Sequence, residues 1–105
     1  MSEPHKRIVF KHFRYTLNGS IPLHYRRGKS TWDPAPRGGY TKCFIYDEDD
    51  ALLGCGKADC SRKDAFCYRT GRNISRGRAL KEVQFHYPTA YDDMVTALNP
   101  LLLGA

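Results

Sequence analysis

The sequence predicts an α+β domain: a small antiparallel sheet of two hairpins, one long basic helix packed across it, and a short C-terminal helix. Three observations carry that expectation. Two stretches alternate in character with period 2 around turn-forming residues, and a later stretch spaces its apolar residues with a helical period. The chain, residues 1–105 with 41% hydrophobic composition, suffices for the core of one domain.

Residues 7–17 are rich in β-branched and aromatic types, and from Val9 the alternation sets Val9, Phe13, Tyr15 and Leu17 opposite His12, Arg14 and Thr16. Asn18-Gly19 tolerates positive φ and predicts a two-residue turn, with residues 20–25 as the return strand. Pro22 lacks an amide donor and marks that strand as an edge. Residues 26–39 hold two prolines, three glycines and four cations, which predicts a long loop. Its Trp32, beside Arg26, Arg27 and Lys29, is placed either to stack on a base or anchor an interface, or to fold back as a lid over the core.

The second hairpin pairs residues 40–46 with 51–57 around Asp47-Glu48-Asp49-Asp50. Those four carboxylates lack the twelve-residue pattern of alternating oxygen ligands that calcium loops need, so they predict an exposed turn. Ser61 and Asp64 read as a capping box for a helix over 62–81. At 100° per residue Phe66, Thr70, Ile74 and Gly77 share its narrow apolar face, with Cys67 at the margin. Arg62, Arg69, Arg72 and Arg76 fall together on a flanking face. Gly71 and Gly77 each cost about 1 kcal/mol against alanine inside a helix, which suggests close backbone approach. Residues 83–87 read as a strand, and Thr89 with Asp92 caps a short helix to about residue 98, where Asn99-Pro100 stops it. The apolar Leu101-Leu102-Leu103 tail docks either on the core or in a second copy as a homodimer element.

Seventeen Lys and Arg against eleven Asp and Glu give a net charge of +6. Residues 1–39 carry eight basic and two acidic side chains, and residues 57–81 do the same. The rest holds only Lys42 against seven acids. Such polarity predicts a basic face and a polyanionic partner, nucleic acid or an acidic protein surface. The competing reading is a solvated surface whose arginines bridge to the acidic segment.

Few other chemistries find support. Gly28-Lys29-Ser30-Thr31 resembles the end of a phosphate-binding loop, but Leu23 stands where that motif needs glycine, and Trp-Asp-Pro follows instead of a helix. No nucleophile and base, and no carboxylate pair, fall in a catalytic pattern, so no enzyme activity and no cofactor are expected. Cys43, Cys55, Cys60 and Cys67 are separated by eleven, four and six residues without a C-x-x-C knuckle. Reduced thiols are the expectation, and a small zinc-stabilised module is the further alternative. No apolar run approaches the roughly 20 residues needed to span a bilayer, and the N-terminus lacks a secretory pattern, so a cytoplasmic protein without membrane contact is expected.

The stretch Cys60-Ser61-x-x-Asp64-x-Phe66 … Gly71-Arg72-x-Ile74-x-x-Gly77-Arg78-Ala79-Leu80, preceded by Arg37-Gly38-Gly39 and a hairpin, resembles small phage- and prophage-encoded accessory proteins over residues 37–81. Ser75-Arg76 stands where that pattern has two small or apolar residues. The resemblance implies a mobile-element origin and action in a bacterial host, by binding host or defence machinery as anti-CRISPR proteins do. The expected function is therefore a non-enzymatic binding protein that engages a host protein or protein–nucleic acid complex. Arg62, Arg69, Arg72 and Arg76 would make the contact with Arg26, Arg27, Lys29 and Trp32. Direct DNA or RNA binding is the alternative.

Overall fold

The computed structural model describes residues 7–102, with side chains through residue 95. In chain order the elements are β1 (Arg7–Arg14), β2 (Leu23–Tyr25), β3 (Arg37–Tyr46), β4 (Leu52–Ala65), α1 (Tyr68–His86) and α2 (Pro88–Leu102). All strand pairs are antiparallel, in the order β2-β1-β3-β4. The two hairpins become one sheet because β1 pairs with β3 from Arg7↔Tyr46 to Phe13↔Tyr40.

Directly opposed residues in an antiparallel ladder share a face, so the register sorts the sheet into two sides. Ile8 and Phe10 oppose Ile45 and Cys43, which in turn oppose Gly54 and Gly56. That side takes the helices. Its core is Cys43, Ile45, Leu53, Ala79, Val83 and Met94, with Ile8, Phe10, Leu80, Ala90 and Tyr91 packed against it. On α1 the buried residues are Ser75, Ala79 and Val83, spaced i, i+4, i+8. A methyl group at Gly54 would stand 2.6 Å from Val83 Cγ2 and 2.8 Å from the Ala79 carbonyl oxygen. Glycine on β4 thus opens a groove in which α1 sits backbone to backbone. Buried Ser75 donates its hydroxyl to Gly71 O at 2.7 Å and satisfies itself within the helix.

Several expectations are corrected here. The helix starts at Tyr68 rather than Arg62, because β4 stays in the sheet through Arg37↔Ala65 and the Phe66 amide donates to Pro36 O. Ser61 Oγ accepts from the Lys63 amide in a local turn and caps no helix. Phe66 therefore precedes α1, and Ile74 is 42% exposed. The helix turns its small residues inward, since the groove has no depth for larger ones. Gly71 makes the expected close approach, to Thr41, whereas Gly77 has open space beside it.

Residues 83–86 are helical, not a strand. Their β-branched and aromatic character yields to tertiary context, because Val83 extends the buried stripe while Phe85 stays 82% exposed. Pro88 opens α2, a position where the missing amide is not needed. This helix runs to Leu102, past Asn99-Pro100, which falls in its last turn and does not stop it. In the first hairpin Gly19 N–H does close a turn on Thr16 O, but pairing begins only at Arg14↔Leu23. Thr16 bridges to Pro34, and Ala35 N–H donates to Tyr15 O, so the long loop occupies the edge the return strand needed. The side chains of the leucine tail, and with them the expected homodimer contact, lie outside the described residues. Among the described residues no helix is long and apolar enough to cross a membrane.

Candidate nucleic-acid interface

Two basic surfaces lie on opposite sides of the sheet. The first contains much of the expected set. Residues 26–30 form a tight turn in which the Lys29 and Ser30 amides donate to Arg26 O, Ser30 Oγ accepts from the Arg26 amide, and Gly28 takes φ +80°. The turn carries the Arg27 guanidinium to 4.8 Å over the ring of Tyr68, the first residue of α1. Arg69, Arg72 and Arg76 flank the buried stripe of α1, with Arg72 and Arg76 half-buried and Arg69 exposed. Arg76 also donates to Asn73 Oδ1 at 3.0 Å.

His12 stands where loop and helix meet. Its Nδ1 lies 2.9 Å from Thr41 Oγ1 in a hydrogen bond, and its ring packs edge-on to Tyr68 at 4.7 Å and Phe66 at 5.9 Å. Burial, then the charges of Arg72, Arg14, His24 and Arg27, push its pKa down to about 4. Its imidazole is neutral at pH 7, and the cations around it supply the positive potential. Arg14, 9% exposed, anchors this corner. It donates to Tyr68 OH and Ala35 O, each at 2.9 Å, and lies 4.6 Å over the Phe66 ring. The ion pairs among the described residues are Arg7–Asp50 at 3.1 Å and Lys57–Asp59 at 3.3 Å, and neither uses an α1 arginine. The acidic turn engages Arg7 through Asp50 and its own backbone through Asp47, whose Oδ1 accepts from the amides of Asp49 and Ala51.

The remaining members of the expected set fall elsewhere. Arg62 is on β4 with its guanidinium 4.0 Å over Tyr15, outside the α1 stripe, because the helix begins after it. Lys29 is exposed on the turn. Half-buried Trp32 packs edge-on to Tyr25 of β2 at 5.1 Å, away from the core cluster.

The cysteines do not converge. Cys43 lies in the core, where burial pushes its thiol up to about 11, while Cys55 faces the other side of the sheet. Exposed Cys67 precedes α1, and hydrogen bonding with Thr70 draws its thiol below the ordinary value. Cys60 shares a cleft of about 270 Å³ with Cys67, and with Ser61, Asp64, Phe66, Gly71 and Ile74 from the phage-like pattern. No group of three or more His, Cys, Asp or Glu among the described residues is placed to hold a metal, so nothing here supports the zinc module.

The second basic surface went unread in the sequence. On the side away from α1, Lys11 opposes Lys42 and Lys42 opposes Lys57, a row of three lysines across three strands. The rows that border it are Val9, Phe44 and Cys55 on one side and Phe13, Tyr40 and Asp59 on the other. Phe13 and Tyr40 stack at 4.6 Å and 18°, and Phe44 and Tyr46 at 6.4 Å and 26°. No described element covers this face. Its signal was the Tyr40-x-Lys42-x-Phe44-x-Tyr46 alternation, which gains meaning only once β1 is known to pair with β3.

Comparison with family models, with curated proteins and with solved structures finds no match to this chain.

Proposed function

We propose that this chain is a non-enzymatic binding protein, of the kind the phage-like pattern implies, that acts in a bacterial cytoplasm on nucleic acid or on a complex that handles nucleic acid. The supporting observation is the gathering of Arg27 and Arg72 about His12, with Arg69 and Arg76 on the same helix as Arg72, Arg26 next to Arg27 in the turn, and no carboxylate in an ion pair with them among the described residues. Guanidinium forks match phosphate and carboxylate oxygens bidentately. An anti-CRISPR-like inhibitor is the protein-directed form of this reading. Direct nucleic-acid binding is the second form, and the lysine row on the opposite sheet face favours it.

Pull-down from a bacterial lysate, with and without nuclease, separates the two forms: nuclease abolishes capture in the second and spares a stoichiometric protein complex in the first. Changing Arg69, Arg72 and Arg76 together to Glu is expected to leave helical circular dichroism intact and to abolish capture. Each single Arg→Ala is expected to weaken binding by about 1–3 kcal/mol. A triple Arg→Gln variant removes the charge should the Glu variant misfold. Folded variants captured at wild-type strength would reduce the stripe to a solvated surface.

A further inference from the structure

We infer that the sheet face opposite α1 is a platform for single-stranded nucleic acid, with phosphates along Lys11, Lys42 and Lys57 and bases stacked on Phe44 and on the Phe13–Tyr40 pair. This rests on the nucleic-acid form of the proposed function and names both the ligand class and the surface.

Like charges directly opposite one another destabilise a sheet. Here two such pairs adjoin, and the only described carboxylate in an ion pair with the row is Asp59, 3.3 Å from Lys57. A row that opposes folding yet sits at the centre of a face calls for an anion from outside. Adjacent strands are about 4.8 Å apart, so the row offers on the order of 10 Å of positive track running across the strands. The ammonium groups rest over the rings that border them: Lys11 at 5.5 Å from Phe44, Lys42 at 5.9 Å from both Phe13 and Tyr40, and Lys57 at 4.4 Å from Tyr40. A phosphate would draw these ammoniums off the rings and bare the aromatic faces to bases.

The pattern selects a single strand over other polyanions. A duplex keeps its bases stacked on one another, and stacking on side chains requires splayed bases. A protein interface is depleted of charged residues at its centre and keeps them at the rim, the reverse of this face. Arg7, 4.9 Å over Tyr46, is held by Asp50 at 3.1 Å and closes the face at the acidic turn, so the track is the lysine row alone.

The test is fluorescence anisotropy of a labelled twelve-nucleotide oligothymidylate and of a duplex of equal length, across a salt series. The single strand is expected to bind more tightly. The slope of log K against log salt should be about −2, from three lysines at roughly 0.7 each. Lys42→Gln should reduce that slope by about 0.7. Tyr40→Ala and Phe44→Ala should each weaken binding roughly 5- to 150-fold. Phe44→Leu keeps the bulk without the ring and serves if the alanine variant misfolds. Preference for the duplex, or wild-type affinity in the folded sheet-face variants while the α1 triple variant loses binding, would overturn the platform and leave the nucleic-acid reading standing. No binding to either oligonucleotide would overturn both.

Discussion

Gly56→Ala is expected to be the most damaging single methyl addition in the described chain, with a loss of about 3 kcal/mol or more in a urea or thermal melt. The added carbon would land on the Ser75 carbonyl oxygen and the Ala79 amide nitrogen, with the Arg78 carbonyl carbon 3.0 Å away. These are backbone atoms inside a hydrogen-bonded helix, so no side-chain rotation relieves the clash and α1 must lift from the sheet. A gap of 0.5–1 Å forfeits roughly a quarter to a half of the dispersion energy of the contacts it opens. Those contacts include Ala79 and Val83, both fully buried. Gly77→Ala is the internal control. It meets nothing within 4 Å and sits in the same helix, so it should stabilise by about 0.5–1 kcal/mol. Equal melts for the two variants would show that α1 is not seated on the β4 glycines.

The second large effect is expected at Arg14. Its guanidinium ties β1 to the loop at Ala35 and to the start of α1 at Tyr68, and it packs on the rings of Tyr25, Phe66 and Tyr68. Nε is buried without a hydrogen-bond partner among the described residues. Burying a cation without a carboxylate is costly, and the two hydrogen bonds and the rings offset that cost. Arg14→Ala removes the stem and the donors together and should cost about 2–4 kcal/mol, leaving a cavity among the rings. Arg14→Met keeps most of the stem and removes the buried charge, so it should lose clearly less. Chemical denaturation of both variants decides the matter. Equal losses would mean that the hydrogen bonds, not the packing, hold this corner.

Local signals in the sequence were reliable where the structure is local. The β3–β4 hairpin forms around its acidic turn as the alternation predicts, with Asp47 capping the turn and Asp50 at φ 64°. The α+β class follows from the same patterns. The start of α1 was illegible because Ser61 and Asp64 satisfy a capping pattern that the β3 register overrides at Arg37↔Ala65. The buried face of α1 was illegible for a different reason. Gly71, Ser75 and Ala79 carry little hydrophobicity, and their fit depends on distant residues, Ser75 and Ala79 on Gly54 and Gly56 and Gly71 on Thr41. The same non-locality hid the lysine row, whose three members come from three strands and meet only through the β1–β3 pairing.

The most direct test of the account is a two-dimensional NMR titration of the chain with oligothymidylate. Signals from Lys11, Tyr40, Lys42, Phe44 and Lys57 should move together and saturably. Signals from Ser75, Ala79 and Val83, on the other side of the sheet, should stay in place. Saturable shifts confined to α1 and residues 26–30, with the lysine row unmoved, would contradict the sheet-face platform and assign the contact to the arginine surface. No shift on either surface would contradict nucleic-acid binding altogether.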